Sequence, residues 1–254
     1  MADTSVTSYK VWDVPVRLFH WINFLSVLTL IAFGLVIYNG GALGLSNEGK
    51  ALMKTLHVWA GYVFAVNLAI RLVWAFMGNA HARWSAILPG GRGYGAALRA
   101  YIRGDGTAWL GHNPLGRLAV TAMLLALIGQ AVTGLVLAGT DIYYPPFGGM
   151  IAEWIAADGV DPSSLVPYGP KELLDAAAYQ DMRAFRKPYI EVHEWLFFTL
   201  LGLITLHIAA VVMAEIRHGG TLVSAMFTGR KHYDRTPEDK AEGALAPSFD
   251  LGAS

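Results

Sequence analysis

The sequence contains no cysteine, and this absence removes several kinds of chemistry at once. Without thiols the chain cannot form disulfides, bind iron–sulfur clusters through thiolates, use a thiol as a nucleophile or attach a c-type haem through C-x-x-C-H. Any metal or redox cofactor must therefore be held by other side chains.

Charge is also scarce. Only 15% of the 254 residues are charged, the formal net charge is +0, and the mean hydropathy is +0.41. A nucleic-acid-binding protein would need a basic surface, so that class is disfavoured. The composition is typical of an integral membrane protein.

Four apolar runs are long enough to cross the hydrocarbon core of a bilayer, which takes about 20 helical residues. They cover residues 16–38, 55–77, 115–138 and 189–214. We therefore predict an all-α integral membrane four-helix bundle over residues 16–218, after an N-terminal segment, 1–15, and before a C-terminal tail, 219–254. The longest connection, residues 139–188, predicts an extended outer loop with turns and one interfacial helix, and residues 236–254 predict disorder.

The distribution of basic residues predicts the orientation in the membrane. The second connection and the C-terminal segment are rich in them and should be cytoplasmic, which places both termini inside and the first and third connections outside. The sequence RAFRK in the third connection runs against this trend. The basic residues counted are Arg83, Arg92, Arg99 and Arg103, against Asp105, and Arg217, Arg230, Lys231, Arg235 and Lys240.

Two histidines, His193 and His207, flank the apolar core of the fourth run, fourteen residues apart. On a helix this spacing leaves them about 40° apart around the axis and about 21 Å apart along it. With the predicted orientation, His57 shares the outer depth with His193, and His20 shares the inner depth with His207. Two stacked pairs of imidazoles fit two haem groups, and without cysteine these must be b-type.

Glycines on the same helices favour this interpretation. Gly61 follows His57 by four residues, so it lies on the same face one turn away, where a flat macrocycle needs clearance. Gly34 follows His20 by fourteen residues, which places a bare backbone at the depth of the other haem.

The motifs YKVWDVPVRLFHW, LHVWAGYVFAVNLAIRLVWAFMGN, GHNPLGR and HEW, with LH fourteen residues on, also carry a family resemblance. The chain resembles the b-type cytochrome subunit of membrane-bound nickel–iron hydrogenases, in the wider bacterial cytochrome b561 group, and is similar to the membrane subunit of respiratory formate dehydrogenase. In this family the four matching histidines are haem-iron ligands in the pairing above. The insertion ending AAYQDMRAFRKPYIEVHEW departs from the hydrogenase members, in the loop where a partner would dock.

The resemblance implies a multi-pass protein of the bacterial inner membrane. It implies electron transfer between the respiratory quinone pool and a redox protein on the periplasmic side, either hydrogenase subunits or a c-type cytochrome. The chain would then be an electron-transfer subunit with quinone oxidoreductase activity. By analogy with the formate dehydrogenase subunit, His112 and Asn113 occupy the place of a quinone site beside the inner haem; an equally ordinary role for Asn113 is to start the third helix.

Two arginines are candidates for binding haem propionates. Arg17 lies three residues before His20, although an interfacial arginine would look the same. Arg71 lies within an apolar span, where a charge needs a partner unless it snorkels to the interface. The remaining histidines, His81, His218 and His232, are expected to be solvated.

Two other functions stay open. A superoxide oxidase of the b561 type would need an open cationic funnel to the outer haem, for which Lys54, Arg183, Arg186 and Lys187 are candidates. A histidine-based metal or proton transporter would need carboxylates within the spans, and the spans hold almost none beyond Glu191 and Glu194 at an outer end.

Overall fold

A computed structural model describes residues 6–104, 108–218, 222–234 and 236–239 of the chain. Most of these residues are helical, and two short strands, β1 (Thr7–Lys10) and β2 (Arg230–Tyr233), pair antiparallel with Thr7 opposite Tyr233. The helices are α1 (Val14–Tyr38), α2 (Asn47–Met77), α3 (Trp84–Ile87), α4 (Tyr94–Arg103), α5 (Pro114–Ile142), α6 (Gly148–Ile155), α7 (Ala176–His218) and α8 (Leu222–Thr228).

Four of these helices, α1, α2, α5 and α7, are long and apolar enough to cross a membrane, as predicted. The shortest, α1, has 25 residues, which corresponds to about 37 Å, more than the bilayer core of about 30 Å. Large apolar side chains on their surfaces are widely exposed, for example Phe76 at 73% and Ile216 at 79%. Such surfaces are stable in lipid and would aggregate in water.

Each long helix begins at a polar side chain that accepts a backbone N–H from its first turn. The acceptors are Asp13 for Val16, Ser46 for Gly49, Asn113 for Gly116 and Asp175 for Ala178. Residues of this kind satisfy N–H groups that have no partner within the helix. The caps therefore explain why the helices start where they do, before the apolar runs begin.

The chain divides into two compact units. The first contains residues 1–21, 69–125 and 202–254, and therefore one end of each long helix. In this unit the two strands and α8 join the start of α1 in one apolar cluster. Its buried members are Tyr9, Val11, Trp12, Val16, Ala82, Leu110 and Ala225.

The second unit contains residues 22–68 and 126–201. Here α6 and the first turns of α7 bury Ile151, Ala152, Ile155, Leu165 and Met182 together. An isolated bridge between Ala156 and Leu174 and an Asp161 side chain that accepts the Ser163 N–H order the connection between these helices.

Two segments contain more regular structure than the sequence indicates. Within the predicted outer loop 139–188, α5 continues to Ile142 and α7 already starts at Ala176, with Pro188 inside the helix. Proline removes only one helical N–H, and the Asp175 cap lies well before it. Residues 219–254 are not simply a tail, since α8 and β2 pack in the first unit. The predicted disorder at 240–254 lies outside the described residues, as do Asp105, Arg235 and the side chains of Arg217 and His218.

Candidate haem sites

In the second unit, His57 of α2 and His193 of α7 face each other. Their ring centroids are 6.3 Å apart, and the ring planes make an angle of 70°. A metal–imidazole bond is about 2 Å, and the ring centre lies about 1.1 Å behind the nitrogen, so two rings on opposite sides of one metal have centroids about 6 Å apart. The two histidines are therefore spaced so that both would reach a single iron bound between them.

The hydrogen bond at the back of His193 leaves the correct nitrogen for a metal. Thr133 Oγ1 lies 2.8 Å from His193 Nδ1 and also donates its hydroxyl proton to the Gly129 carbonyl oxygen at 2.7 Å. The hydroxyl has only one proton, so when it is donated to Gly129 the Nδ1–H of His193 donates to Thr133, and Nε2 carries a free lone pair. Gln130 fixes the same turn by donating to the His193 carbonyl oxygen at 3.1 Å.

Glycines leave room around both rings. A Cβ at Gly34 would lie 3.5 Å from His57 Cε1, and a Cβ at Gly134 would lie 3.4 Å from His193 Cε1. Both values are ordinary van der Waals distances, so each imidazole lies opposite a glycine with space for a methyl group between them. At Gly61 a Cβ would approach only a Leu30 methyl group, at 4.0 Å, which leaves open space on that face of α2.

In the first unit, His20 of α1 and His207 of α7 lie close enough to interact electrostatically. Nδ1 of His20 is shielded from solvent and has no hydrogen-bond partner among the described residues. Its ring stands edge-on to Trp21, with centroids 5.3 Å apart. A metal-binding histidine normally donates its second ring N–H to a hydrogen-bond partner, and among the described residues His20 Nδ1 lacks the kind of partner that Thr133 gives to His193.

The two candidate arginines have different surroundings. Arg17 donates to the Phe227 carbonyl oxygen at the end of α8, which ties α1 to the C-terminal segment. Arg71 is only 6% exposed, donates to the Ala82 carbonyl oxygen at 3.1 Å and keeps a second guanidinium nitrogen, NH1, without a partner among the described residues. Arg71 therefore retains a donor for an acidic group in the first unit.

The candidate quinone residues are both engaged in the first unit. Asn113 donates to the Tyr101 hydroxyl at 2.8 Å and accepts the Gly116 N–H at 2.7 Å, so its amide caps α5. His112 packs against Trp12 with ring centroids 5.1 Å apart. Burial, then the positive charges of Lys231 and Arg71, lowers the pKa of His112 to about 3. Its imidazole is therefore neutral at neutral pH.

Near the start of α2 and the end of α5, two of the four cations predicted to line a funnel are paired with a carboxylate. Lys54 and Arg186 both bind Asp141, at 2.7 and 2.5 Å. Lys187 is 77% exposed and lies 3.8 Å from Glu191. Since Lys54 and Arg186 are held by a carboxylate, only Arg183 and Lys187 of the four remain exposed, and the open funnel that a superoxide oxidase would need is correspondingly reduced.

Sequence reasoning missed the contribution of the C-terminal segment. Lys231 is 3% exposed and donates to the carbonyl oxygens of Trp109, Leu110 and Gly111. Asp239 accepts the backbone N–H groups of Leu110 and Gly111, at 2.5 and 2.7 Å. Together they hold the loop that leads into His112. The sequence gives no signal for this role, because Lys231 is a single basic residue in a polar segment.

The expectation that His81 is solvated is wrong. Its side chain is buried, and Nδ1 lies 3.7 Å from Asp239 Oδ2. His232, by contrast, is exposed as expected. Among the described residues, no group of three or more His, Cys, Asp or Glu side chains could hold a metal ion, which offers nothing for the metal-transporter alternative.

Comparisons with known proteins agree with this arrangement. The family model for prokaryotic cytochrome b561 matches residues 11–229. The "Probable Ni/Fe-hydrogenase B-type cytochrome subunit" of Rhizobium leguminosarum bv. viciae is 29% identical over 243 residues, which is 88% of this chain and 89% of the relative. The protein of the same name from Azotobacter vinelandii is 30% identical over 59% of this chain and 67% of its own length.

The "Probable Ni/Fe-hydrogenase 1 B-type cytochrome subunit" of Escherichia coli (strain K12) is 31% identical over 156 residues, 56% of this chain and 66% of the relative. No solved structure matches the chain. The family match contains all four candidate ligand histidines; it begins just after β1 and ends just before β2. The chain therefore belongs to the prokaryotic cytochrome b561 family, a family of haem-binding membrane proteins of electron transport.

Proposed function

We propose that this chain binds two haem b groups, one between His57 and His193 and one between His20 and His207, and transfers electrons between a redox partner and quinone. The observation that carries the proposal is the 6.3 Å separation of the His57 and His193 rings. It equals the spacing of two imidazoles on one iron, and an ordinary helix–helix hydrogen bond between histidines would not require it.

Bound haem supplies one-electron exchange at iron. The protein's own side chains hold the ligands and exclude water. Thr133 fixes the tautomer of His193, and the glycines at 34 and 134 let the rings lie against the helices. The surrounding apolar helices keep the dielectric low, which favours fast transfer without side reactions of solvent.

The partner is proposed from the names of the relatives. Several are called B-type cytochrome subunits of Ni/Fe-hydrogenases, and we propose a membrane-bound hydrogenase as the redox partner of this chain, with a c-type cytochrome as the alternative. Both termini would lie in the cytoplasm and the partner would dock on the periplasmic side of the inner membrane, next to the His57–His193 site.

The quinone would be bound in the first unit, beside the His20–His207 site. His112 is the stronger candidate of the pair, because Nδ1 is shielded from solvent and has no hydrogen-bond partner among the described residues. As a neutral imidazole with a pKa of about 3 it can exchange a hydrogen bond with a quinone, but it is a weak proton acceptor at neutral pH. Asn113 would act chiefly by capping α5 and holding its neighbour in place.

Haem stoichiometry tests the central proposal. Acid–acetone extraction of the purified protein should release all haem, and a pyridine haemochrome assay should find about two b-type haems per chain. His57→Ala and His193→Ala should lose the same spectral component, and His20→Ala and His207→Ala the other. His232→Ala, at an exposed position outside the long helices, is the matched control and should lose neither.

A wild-type stoichiometry near one would contradict the two-haem proposal. Variants of His20 and His193 that remove the same component would contradict the pairing.

The quinone site is tested separately, by reoxidation of the reduced haems with a soluble quinone analogue in detergent. His112→Phe should slow reoxidation with both haems retained. Asn113→Leu removes the helix cap as well as the amide, so Asn113→Ser, which keeps a capping hydroxyl, separates the two roles. Unchanged rates in His112→Phe would move the proposed quinone site elsewhere.

A further inference from the structure

The second unit contains a charge cluster that the two-haem proposal does not use. Asp141, at the end of α5, accepts from Lys54 of α2 at 2.7 Å and from Arg186 of α7 at 2.5 Å. The exposed fractions of the three side chains are 23% for Lys54, 20% for Arg186 and 18% for Asp141. One carboxylate is therefore shared by two largely buried cations.

This arrangement leaves one positive charge unbalanced. Among the described residues, neither Lys54 nor Arg186 is paired with a second carboxylate. Lys54 also lies 5.5 Å from the centre of the Tyr168 ring, and Nε of Arg186 is shielded from solvent without a hydrogen-bond partner in the described part of the chain. Burying a net charge is costly unless a counter-ion is present, so the cluster calls for an anion.

The helical spacing relates the cluster to the His57–His193 site. Arg186 precedes His193 by seven residues, and Asp141 follows Gly134, which packs on the His193 ring, by seven residues. Seven helical residues return to nearly the same face, about 20° away, after a rise of about 10 Å. Lys54 lies one turn before His57. The three charged side chains therefore lie about one to two helical turns away from His57, Gly134 and His193, on the same helix faces. Asp141 is within electrostatic range of His193.

The backbone beside the cluster is also unusual. Tyr143, two residues after Asp141, and Tyr168, whose ring contacts Lys54, are the described non-glycine residues with positive φ, at 58° and 60°. Such conformations are uncommon for bulky residues and persist where the surroundings require them. The connection between α5 and α7 therefore holds two residues in an uncommon backbone conformation next to or in contact with the charged residues.

We propose that Lys54 and Arg186, held in place by Asp141, bind the propionate carboxylates of the haem at His57 and His193 and raise its midpoint potential. The inference rests on the proposed function. Haem b carries two carboxylates at one edge, and one of these would balance the single excess positive charge of the cluster. Arg186 offers an unused N–H in a planar fork that suits a carboxylate, and Lys54 adds a point charge.

The effect on potential follows from electrostatics. The oxidised haem carries one more positive charge than the reduced haem, so a nearby net positive charge disfavours oxidation. Burial strengthens this effect because little water screens it. Lys54 and Arg186 would therefore make this haem easier to reduce than it would be without them, and Asp141 would moderate their field while it orients them.

The test is a spectroelectrochemical titration of the purified two-haem protein in detergent, with both b components followed. Arg186→Gln and Lys54→Gln should each shift one component to lower potential and leave the other in place. Arg186→Lys, which keeps the charge, should recover most of the shift. Lys187→Gln is the matched control, because this cation is adjacent in sequence but 77% exposed, and it should shift neither component.

Asp141→Asn should shift the midpoint potential in the opposite direction. It removes the negative charge of the cluster and should shift the same component to higher potential. Selective loss of one haem component in Arg186→Gln, with Lys187→Gln intact, would also support the proposal, since a carboxylate anchor would then be missing.

Two results would overturn this inference alone: two haems per chain whose potentials respond to Arg186→Gln and Lys54→Gln no more than to Lys187→Gln, or equal shifts of both components. A wild-type protein with fewer than two haems would instead contradict the proposed function, so the two failures are distinguishable.

Discussion

Thr133 Oγ1 lies 2.8 Å from Nδ1 of His193, and the same hydroxyl donates to the Gly129 carbonyl oxygen one turn back on α5. Under the proposed function, this pair of contacts decides which nitrogen of His193 would bind the haem iron. A partner behind a metal-binding histidine orients the ring and makes the ligating nitrogen more basic.

Thr133→Val should therefore weaken the haem at His57 and His193 selectively. Valine has the same shape but cannot accept the Nδ1–H, and loss of such a partner weakens metal binding by about 10-fold to 100-fold. The measurement is haem retention of each spectral component during extended washing with apo-myoglobin as acceptor.

Thr133→Ser should keep the haem. Thr29→Val is the matched control, because Thr29 makes the same back-bond, to the Leu25 carbonyl oxygen at 2.9 Å, on an exposed helix face. Equal haem loss from Thr133→Val and Thr29→Val would contradict the role of Thr133.

The glycines opposite the two rings predict a size threshold. A Cβ at Gly34 or Gly134 would make only ordinary contact with an imidazole, at 3.5 and 3.4 Å, so alanine should be accepted at both positions. Valine adds two methyl groups that would displace the ring by overpacking. Gly34→Val and Gly134→Val should each lose the component lost by His193→Ala, and the alanine variants should retain it.

The control is Gly41→Val, since nothing lies within 4 Å of a Cβ there. Pyridine haemochrome stoichiometry and visible spectra provide the measurement. Loss of both components from Gly134→Val, or retention of both, would contradict the local clash.

The long helices and the facing of His57 and His193 could be predicted because their signals are local. Apolar runs of the right length give spans, and the fourteen-residue spacing of His193 and His207 gives a common face by helix geometry alone. The length of α7 could not be predicted, because Pro188 normally indicates a helix end and the cap that starts this helix, Asp175, lies thirteen residues earlier.

Contacts between distant segments were invisible for a different reason. Thr133 and Gly134 are ordinary residues of an apolar helix, and only packing against α7 gives them a role at His193. The sequence shows that Lys54, Arg186 and Asp141 are charged, but it does not show that they pair, since 132 positions separate the two cations. A basic residue that is weighed as a sign of membrane orientation, such as Arg186 in RAFRK, can instead be part of a largely buried ion pair.

The C-terminal segment should contribute measurably to stability. Lys231→Met removes a buried ammonium that donates to three carbonyl oxygens of residues 109–111. Leaving buried carbonyls unsatisfied costs about 1–3 kcal/mol. Lower thermal unfolding midpoints in detergent are therefore expected for Lys231→Met and for Asp239→Asn, which weakens acceptance from two backbone N–H groups.

Arg230→Met is the control for the same strand. Arg230 is exposed where Lys231 is buried, as alternation along β2 requires, so its loss should change the midpoint little. Equal midpoints for Lys231→Met and Arg230→Met would show that the segment does not support the first unit.

The burial of His81 predicts a loss of stability in mild acid. Burial lowers the pKa of His81, Lys231 lowers it further, and Asp239 opposes both. The unfolded chain, with a histidine pKa of about 6.5, then binds the proton more readily than the folded protein, so the stabilisation is complete above about pH 6.5 and is lost as the pH falls toward the folded pKa. The slope is at most about 1.4 kcal/mol per pH unit. Thermal unfolding at pH 7.5 and 5.5 should show a larger loss for the wild type than for His81→Gln, and His232→Gln, at an exposed site, should behave as the wild type. If the ion pair with Asp239 outweighed burial, the sign would reverse and His81→Gln would lose more stability in acid than the wild type.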